Sequence, residues 1–194
     1  MTTPRTNSSE TASKDPWYWA QYEPGRERAG QMPSGADLAA LVLGLTVEAG
    51  RAQPMWRFYR SRVDDELAAR GLVPDRLVAE HMALALFAMH QQSQGRLMHA
   101  PGVRFGAAVR ALHERYSKDG VDGSMQAATQ ARSMGAVFFH LRGLVSQLSA
   151  IGQPLDYSRL LADLRSWPFP ESRTRTIRSW GASYQPWNGP TADN

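Results

Sequence analysis

Apolar and polar positions alternate along this chain with the 3.6-residue period of helices, and no segment sustains the two-residue period of a half-buried strand. Ser34 and Asp37 have the spacing of a capping box, and Leu38, Leu41, Val42 and Leu45 predict a first helix that stops near Gly50. After Gln53-Pro54, residues 55–60 set apolar and basic side chains on different sides of a short helix that continues towards Leu67. A turn follows at Gly71. Pro74 suits the first position of the next helix, whose Leu77, His81, Leu84 and Met89 run towards Gln94 with almost no charge after Glu80. Such a helix belongs in the centre of a core.

Residues 93–101 read as a loop. Beyond it, Phe105, Val109, Leu112 and Tyr116 fall within an arc of about 60° on a helix over residues 102–116, with Arg110 and Glu114 opposite. Residues 118–124, with Gly120 and Gly123, read as the clearest internal break and the best boundary between two lobes. A helix over 125–132 follows, then one in which Val137, Leu141, Leu144, Val145 and Leu148 form one apolar face with Arg142 at its edge. Gly152-Gln153-Pro154 ends it. Asp156 caps a helix over 157–167, Pro168 stops that helix, and a last one from about Glu171 presents Ile177, Trp180 and Tyr184 to the body. The fold expected is all-α, as one helical bundle or two small helical lobes. The divisions expected are a flexible N-terminal arm over 1–33, lobes over 34–118 and 119–185, and a flexible tail over 186–194. The arm carries an aromatic knot at Trp17, Tyr18, Trp19 and Tyr22. That knot suits stacking on bases, but a tail docked onto the body by its aromatics is the favoured reading.

Composition narrows the class. The 194 residues include 42% hydrophobic and 21% charged side chains and no cysteine, which excludes disulfides and thiolate metal sites. No uninterrupted apolar run approaches the roughly 20 residues of a membrane span, and the N-terminus lacks the apolar middle of a secretory signal, so a cytoplasmic protein away from the membrane is expected. The formal charge is +4, unevenly spread. Residues 1–95 hold ten Lys and Arg against eleven Asp and Glu, whereas residues 96–178 hold twelve against six. Twenty of the 22 basic residues are arginine, whose planar fork suits phosphate and stacks on bases. A GC-rich coding sequence would also produce this arginine excess.

Catalytic patterns are missing. His81, His90 and His99 recur every nine residues, which turns each about 180° from the last on a continuous helix, so His81 and His90 share no ligand face. No H-E-x-x-H, Glu-x-x-His pair, Gly-Lys-Ser/Thr loop, G-x-G-x-x-G or G-x-S-x-G occurs, and no metal or cofactor is expected. Asp64-Asp65-Glu66, the one acidic cluster, points three ways on a helix. What remains is a set of arginines on several helices: Arg96, Arg104, Arg110, Arg132 and Arg142, then Arg175 and Arg178 near the end. With few acids near them and aromatics at neighbouring positions, they suit a groove that tracks a phosphate backbone without reading bases. Arg57 and Arg60 extend the same surface into the first half. A helical DNA-binding transcription regulator is the alternative, and a small helical enzyme using Asp156 or a histidine has the least support.

Several short motifs carry a family resemblance: Leu141-Arg142-Gly143-Leu144-Val145, then Pro154-Leu155-Asp156-Tyr157-Ser158-Arg159-Leu160 and Trp167. Leu38-Ala39-Ala40-Leu41, Trp56-Arg57-Phe58-Tyr59, Leu86-Phe87-Ala88-Met89-His90, Gly102-Val103-Arg104-Phe105-Gly106 and Ile177-Arg178-Ser179-Trp180 accompany them in order. In these, from about Leu38 to Tyr184, the chain resembles the CasB family, the small subunit of the type I-E CRISPR surveillance complex, Cascade. The resemblance implies an all-helical, non-catalytic subunit present twice along the complex, so that its partners are a second copy, other Cascade subunits, the guide RNA, and the target and displaced DNA strands. It implies a basic surface that stabilises the R-loop, with Arg96, Arg104, Arg110 and Arg142 as the preferred contacts by their place in the motifs. Family members often carry a basic pair after the Leu-Ala-Ala-Leu signature; Val42-Leu43 stands there instead, and the resemblance gives no role to the aromatic arm.

Overall fold

The structure, a computed structural model, describes residues 17–62 and 65–185. Residues 1–16 of the expected arm, Asp64 of the acidic cluster and the expected tail at 186–194 lie outside the described residues. Among the described residues the fold is all-α. The helices are α1 (Gly35–Val42), α2 (Asp65–Ala69), α3 (Asp75–Gln91), α4 (Phe105–Ala111), α5 (Lys118–Gln130), α6 (Met134–Ile151), α7 (Tyr157–Ser166) and α8 (Pro170–Tyr184). Among the described residues strand-like pairing is limited to one isolated parallel bridge, His99 with Leu155.

α3 forms the axis because thirteen of its 17 residues are buried, and α1, α6 and α7 pack around it. Three ionisable groups are buried on it: Glu80 and His81 are fully satisfied, and His90 meets the Tyr157 hydroxyl through Nδ1 at 2.9 Å. Glu80 accepts the backbone N–H of Arg60 at 2.6 Å and of Ser61 at 2.7 Å. His81 Nε2 lies 3.1 Å from the Gly44 carbonyl and 2.9 Å from that of Val47, so Nε2 carries the proton and Nδ1 accepts from the Tyr59 hydroxyl at 2.7 Å. Desolvation holds the His81 pKa down and keeps the ring neutral.

The aromatic knot is docked. Tyr18–Tyr22 forms a 3-10 turn, and Trp19 is fully buried between Phe87, Tyr157 and His99, with its Nε1 donating to Ser158 Oγ at 3.0 Å. Full burial of a side chain this size contributes a few kcal/mol, enough to fix the segment. His99 closes the same corner, since Tyr157 N–H donates to its Nδ1 and its Nε2 donates to Glu23 at 2.8 Å.

Three expectations about elements change. Residues 118–124 are no break: α5 runs through both glycines because Ser117 caps it, Asp119 sits in its first turn, and Val121, Met125 and Ala128 bury one stripe. That burial outweighs a glycine penalty of about 1 kcal/mol each. The helix expected from Met55 to Leu67 is instead a 3-10 turn, Gln53–Phe58, followed by extended chain and α2, because Glu80 takes the N–H groups of Arg60 and Ser61. The helix expected over 102–116 starts at Phe105 and tightens to a 3-10 turn after Ala111.

α6 buries Val137, Leu141, Leu144, Val145 and Leu148, the expected face, and ends at Gly152 with φ 63°, where Gln153 N–H donates to the Leu148 carbonyl. By length and composition α6 would pass for a membrane span, although His140, Arg142, Ser146 and Gln147 interrupt its apolar residues. Its apolar stripe packs on α3, and its other side carries His140, Arg142 and Gln147.

Candidate nucleic-acid interface

The candidate surface is built on two helices that cross at close range, α4 and α8. Gly106 makes the approach possible: a Cβ there would sit 2.1 Å from the Trp180 carbonyl oxygen, so any side chain would push the helices apart. Beside it Phe105 packs on Trp180 with ring centroids 4.5 Å apart, and Trp180 stacks on Trp167 at 5.3 Å. Trp180 Nε1 donates to Asp163 on α7 at 2.6 Å. Burial pushes the Asp163 carboxyl up to about 6, against the opposing effects of Trp180 and Arg159.

The start of α4 is held by Asp156. Gly102, with φ 86°, turns the chain so that its N–H donates to Asp156 Oδ2 at 2.8 Å, while Oδ1 accepts from Arg159 N–H and caps α7. The Asp156 N–H donates to the Val103 carbonyl. Thus Gly102–Gly106 and Pro154–Leu160, far apart in sequence, form one knot.

On this foundation the arginines stand outward. Arg104 occupies the N-cap of α4 without making a capping bond, Arg110 lies in its last turn, and Arg178 lies on the outer face of α8. All three are exposed, and among the described residues their guanidinium groups have no hydrogen-bond or ion-pair partner. Among the described residues Arg175 bonds only Ser172, one turn back, at 2.7 Å. Arg173, which sequence reasoning passed over, donates to the carbonyls of Trp167 and Arg132 and so ties the exposed Arg132 to the base of α8. Its signal was its place just beyond the Pro168 stop, within reach of the last carbonyls of α7. α8 contains one acid, Glu171, and α4 none.

The remaining candidates are committed within the fold. Arg57 pairs with Asp37 at 2.9 Å and lies over the Phe58 ring. Arg60 is exposed, with its backbone held by Glu80. Arg96 donates to the Gly152 carbonyl at the end of α6, and Arg142 reaches across to the Leu45 carbonyl at 3.0 Å. A guanidinium has five N–H donors, so these anchored groups retain donors for an outside acceptor. Arg142 also lines a cleft between α5 and α6. Among the described residues no group of three or more His, Asp or Glu is placed to hold a metal.

Comparison with known proteins agrees with this architecture. Residues 37–184 match the family model described as CRISPR-associated protein Cse2. Among solved structures, CasB from Thermobifida fusca is similar with a TM-score of 0.61 and 29% identity over 77% of this chain and 83% of that one. CasB from Thermus thermophilus has a TM-score of 0.58 and 22% identity over 80% of this chain and 88% of its own, a likeness of fold. No curated protein sequence matches. With the family model reaching from within α1 to the end of α8, this chain belongs to the CRISPR-associated Cse2 family, which includes CasB.

Proposed function

We propose that this protein is the non-catalytic small subunit of a type I-E Cascade complex, where it contacts guide RNA, target strand and displaced strand and so stabilises the R-loop. Its partners in this reading are the other Cascade subunits and a second copy of itself, in the cytoplasm. The observation that carries the proposal is the α4–α8 face, where Arg104, Arg110 and Arg178 extend from a rigid aromatic foundation and pair with no acid among the described residues. R-loop formation exchanges one duplex for another of similar stability, so a few backbone contacts decide the balance. Cations fixed on rigid helices supply such contacts with little further loss of freedom.

The test replaces Arg104, Arg110 and Arg178 together with alanine. Arg142 is left in place because it supports Leu45. Binding of single-stranded oligonucleotides should be independent of sequence and weaken with salt, and each lost phosphate contact should reduce the logarithmic salt slope by about 0.7. In the assembled complex the triple variant should shorten R-loop lifetime. Affinity that ignores salt, or an unchanged lifetime, would overturn the proposal.

A further inference from the structure

α6 uses two faces in different ways. At about 100° per residue, Val137, Leu141, Leu144, Val145 and Leu148 cluster on one side, and Phe139, Arg142, Gly143, Ser146 and Gln147 cluster on the opposite side. The second side should be uniformly polar if it only met solvent. Instead it carries Phe139, 70% exposed, while neighbouring Phe138 is half-buried. An isolated exposed apolar residue is ordinary. Phe139 is not isolated, since it lines the cleft of about 710 Å³ between α6 and α5, a volume typical of ligand pockets.

The cleft has the parts that a single nucleotide needs. His140 meets the Phe139 ring edge-on at a centroid distance of 5.4 Å and restricts it. Arg142, one turn further along, is fixed at one end by the Leu45 carbonyl, so its remaining donors are held at the cleft. Gln147 lines the same cleft, and its buried Oε1 has no hydrogen-bond partner among the described residues. The opposite wall, from α5, includes Gly120 and Gly123, and no heavy atom lies within 4 Å of where a Cβ on Gly123 or Gly143 would be. The acid lining the cleft is Asp119.

We propose that this cleft takes one unpaired nucleotide of a single strand, with its base stacked on Phe139, its phosphate on Arg142 and a base-edge N–H donated to Gln147. The inference rests on the nucleic-acid-binding role proposed above and adds a stacking contact to it. A flat base suits an exposed phenyl face whatever its sequence, and a guanidinium one helical turn away favours the attached phosphate over a neutral apolar peptide. The arginines of α4 and α8 follow the backbone; this cleft would hold a base.

The experiment compares full-length wild type, Phe139→Ala, Phe139→Trp and the Arg104/Arg110/Arg178 triple variant. Each is titrated with a short oligodeoxynucleotide and with a strand of the same length whose sugars lack bases. Phe139→Ala should weaken binding to the base-bearing strand by about 5- to 100-fold, with no change for the abasic strand and no change in salt slope. Phe139→Trp should restore or improve affinity. The triple variant should weaken both strands alike. If wild type binds the base-bearing strand and the triple variant weakens it while Phe139→Ala does not, the stacking site is wrong and the backbone role stands. If wild type binds neither strand, the backbone role itself fails. Loss of partner-subunit retention in Phe139→Ala, with strand affinity intact, would make the cleft a protein contact and overturn the inference. Phe139 is exposed and helical, so alanine there leaves the fold in place.

Discussion

Three arginines near the N-terminus, Arg28, Arg51 and Arg57, and three on the α4–α8 pair, Arg104, Arg110 and Arg178, are held in opposite ways. Near the N-terminus, Arg57 pairs with Asp37, Arg51 lies 3.9 Å from Glu48 and Arg28 donates to the Tyr22 hydroxyl. On α4 and α8, Arg104, Arg110 and Arg178 meet nothing among the described residues. Nearly equal numbers of basic and acidic residues in the first half, ten against eleven, let the chain neutralise itself, whereas the surplus in the second half leaves cations for a partner. Net charge distinguishes the halves, but only pairing shows which cations are available.

The largest expected effect concerns the N-terminal side. Trp19→Ala should cost about 3–5 kcal/mol in a denaturant titration, because it empties a site enclosed by Phe87, Tyr157 and His99. A loss under about 1 kcal/mol would mean that this segment only drapes the body, and the comparison would lose its rigid first partner.

The next effect concerns the foundation of the basic face. Asp163 has a pKa raised in the folded state to about 6, so the native state favours its protonated form. That contribution is fully present below the unfolded value of about 4 and is lost as pH rises through about 6, an effect on the order of 2 kcal/mol. Asp163→Asn should remove this slope while keeping an acceptor for Trp180. The difference in urea midpoint between variant and wild type from pH 4 to 8 isolates it from buried His90. Burial pushes the His90 pKa down to about 4, which gives a slope of opposite sign.

The smallest effect tests the comparison directly. Arg57→Ala should cost about 0.2–1 kcal/mol of stability, and less at high salt, as an exposed ion pair is lost. Arg178→Ala should change stability by less than about 0.5 kcal/mol yet reduce the salt slope of strand binding by about 0.7. Equal behaviour of the two variants in both measurements would remove the distinction between paired and available arginines.

Much of the fold was legible because helical cores announce themselves locally. The α6 stripe, the Asp156 cap, the Ser34 cap and the charge-poor α3 were all readable from spacing. The helix through Gly120 and Gly123 was not, since glycine's local preference for a break is overruled by burial of Val121, Met125 and Ala128. Nor was the interruption after Phe58, which depends on a carboxylate twenty residues away in sequence.

The sequence by itself determined an all-helical chain with a basic second half, because side-chain period and charge are properties of neighbours along the chain. It could also order the motifs that place the protein in its family. Only the tertiary structure decided which arginines are anchored and which stand free, since Arg96 and Arg142 reach carbonyls 56 and 97 residues away. It also decided that Phe139 faces a cleft while Val137 faces the core, because the side of a helix that meets solvent depends on what the rest of the chain packs against it.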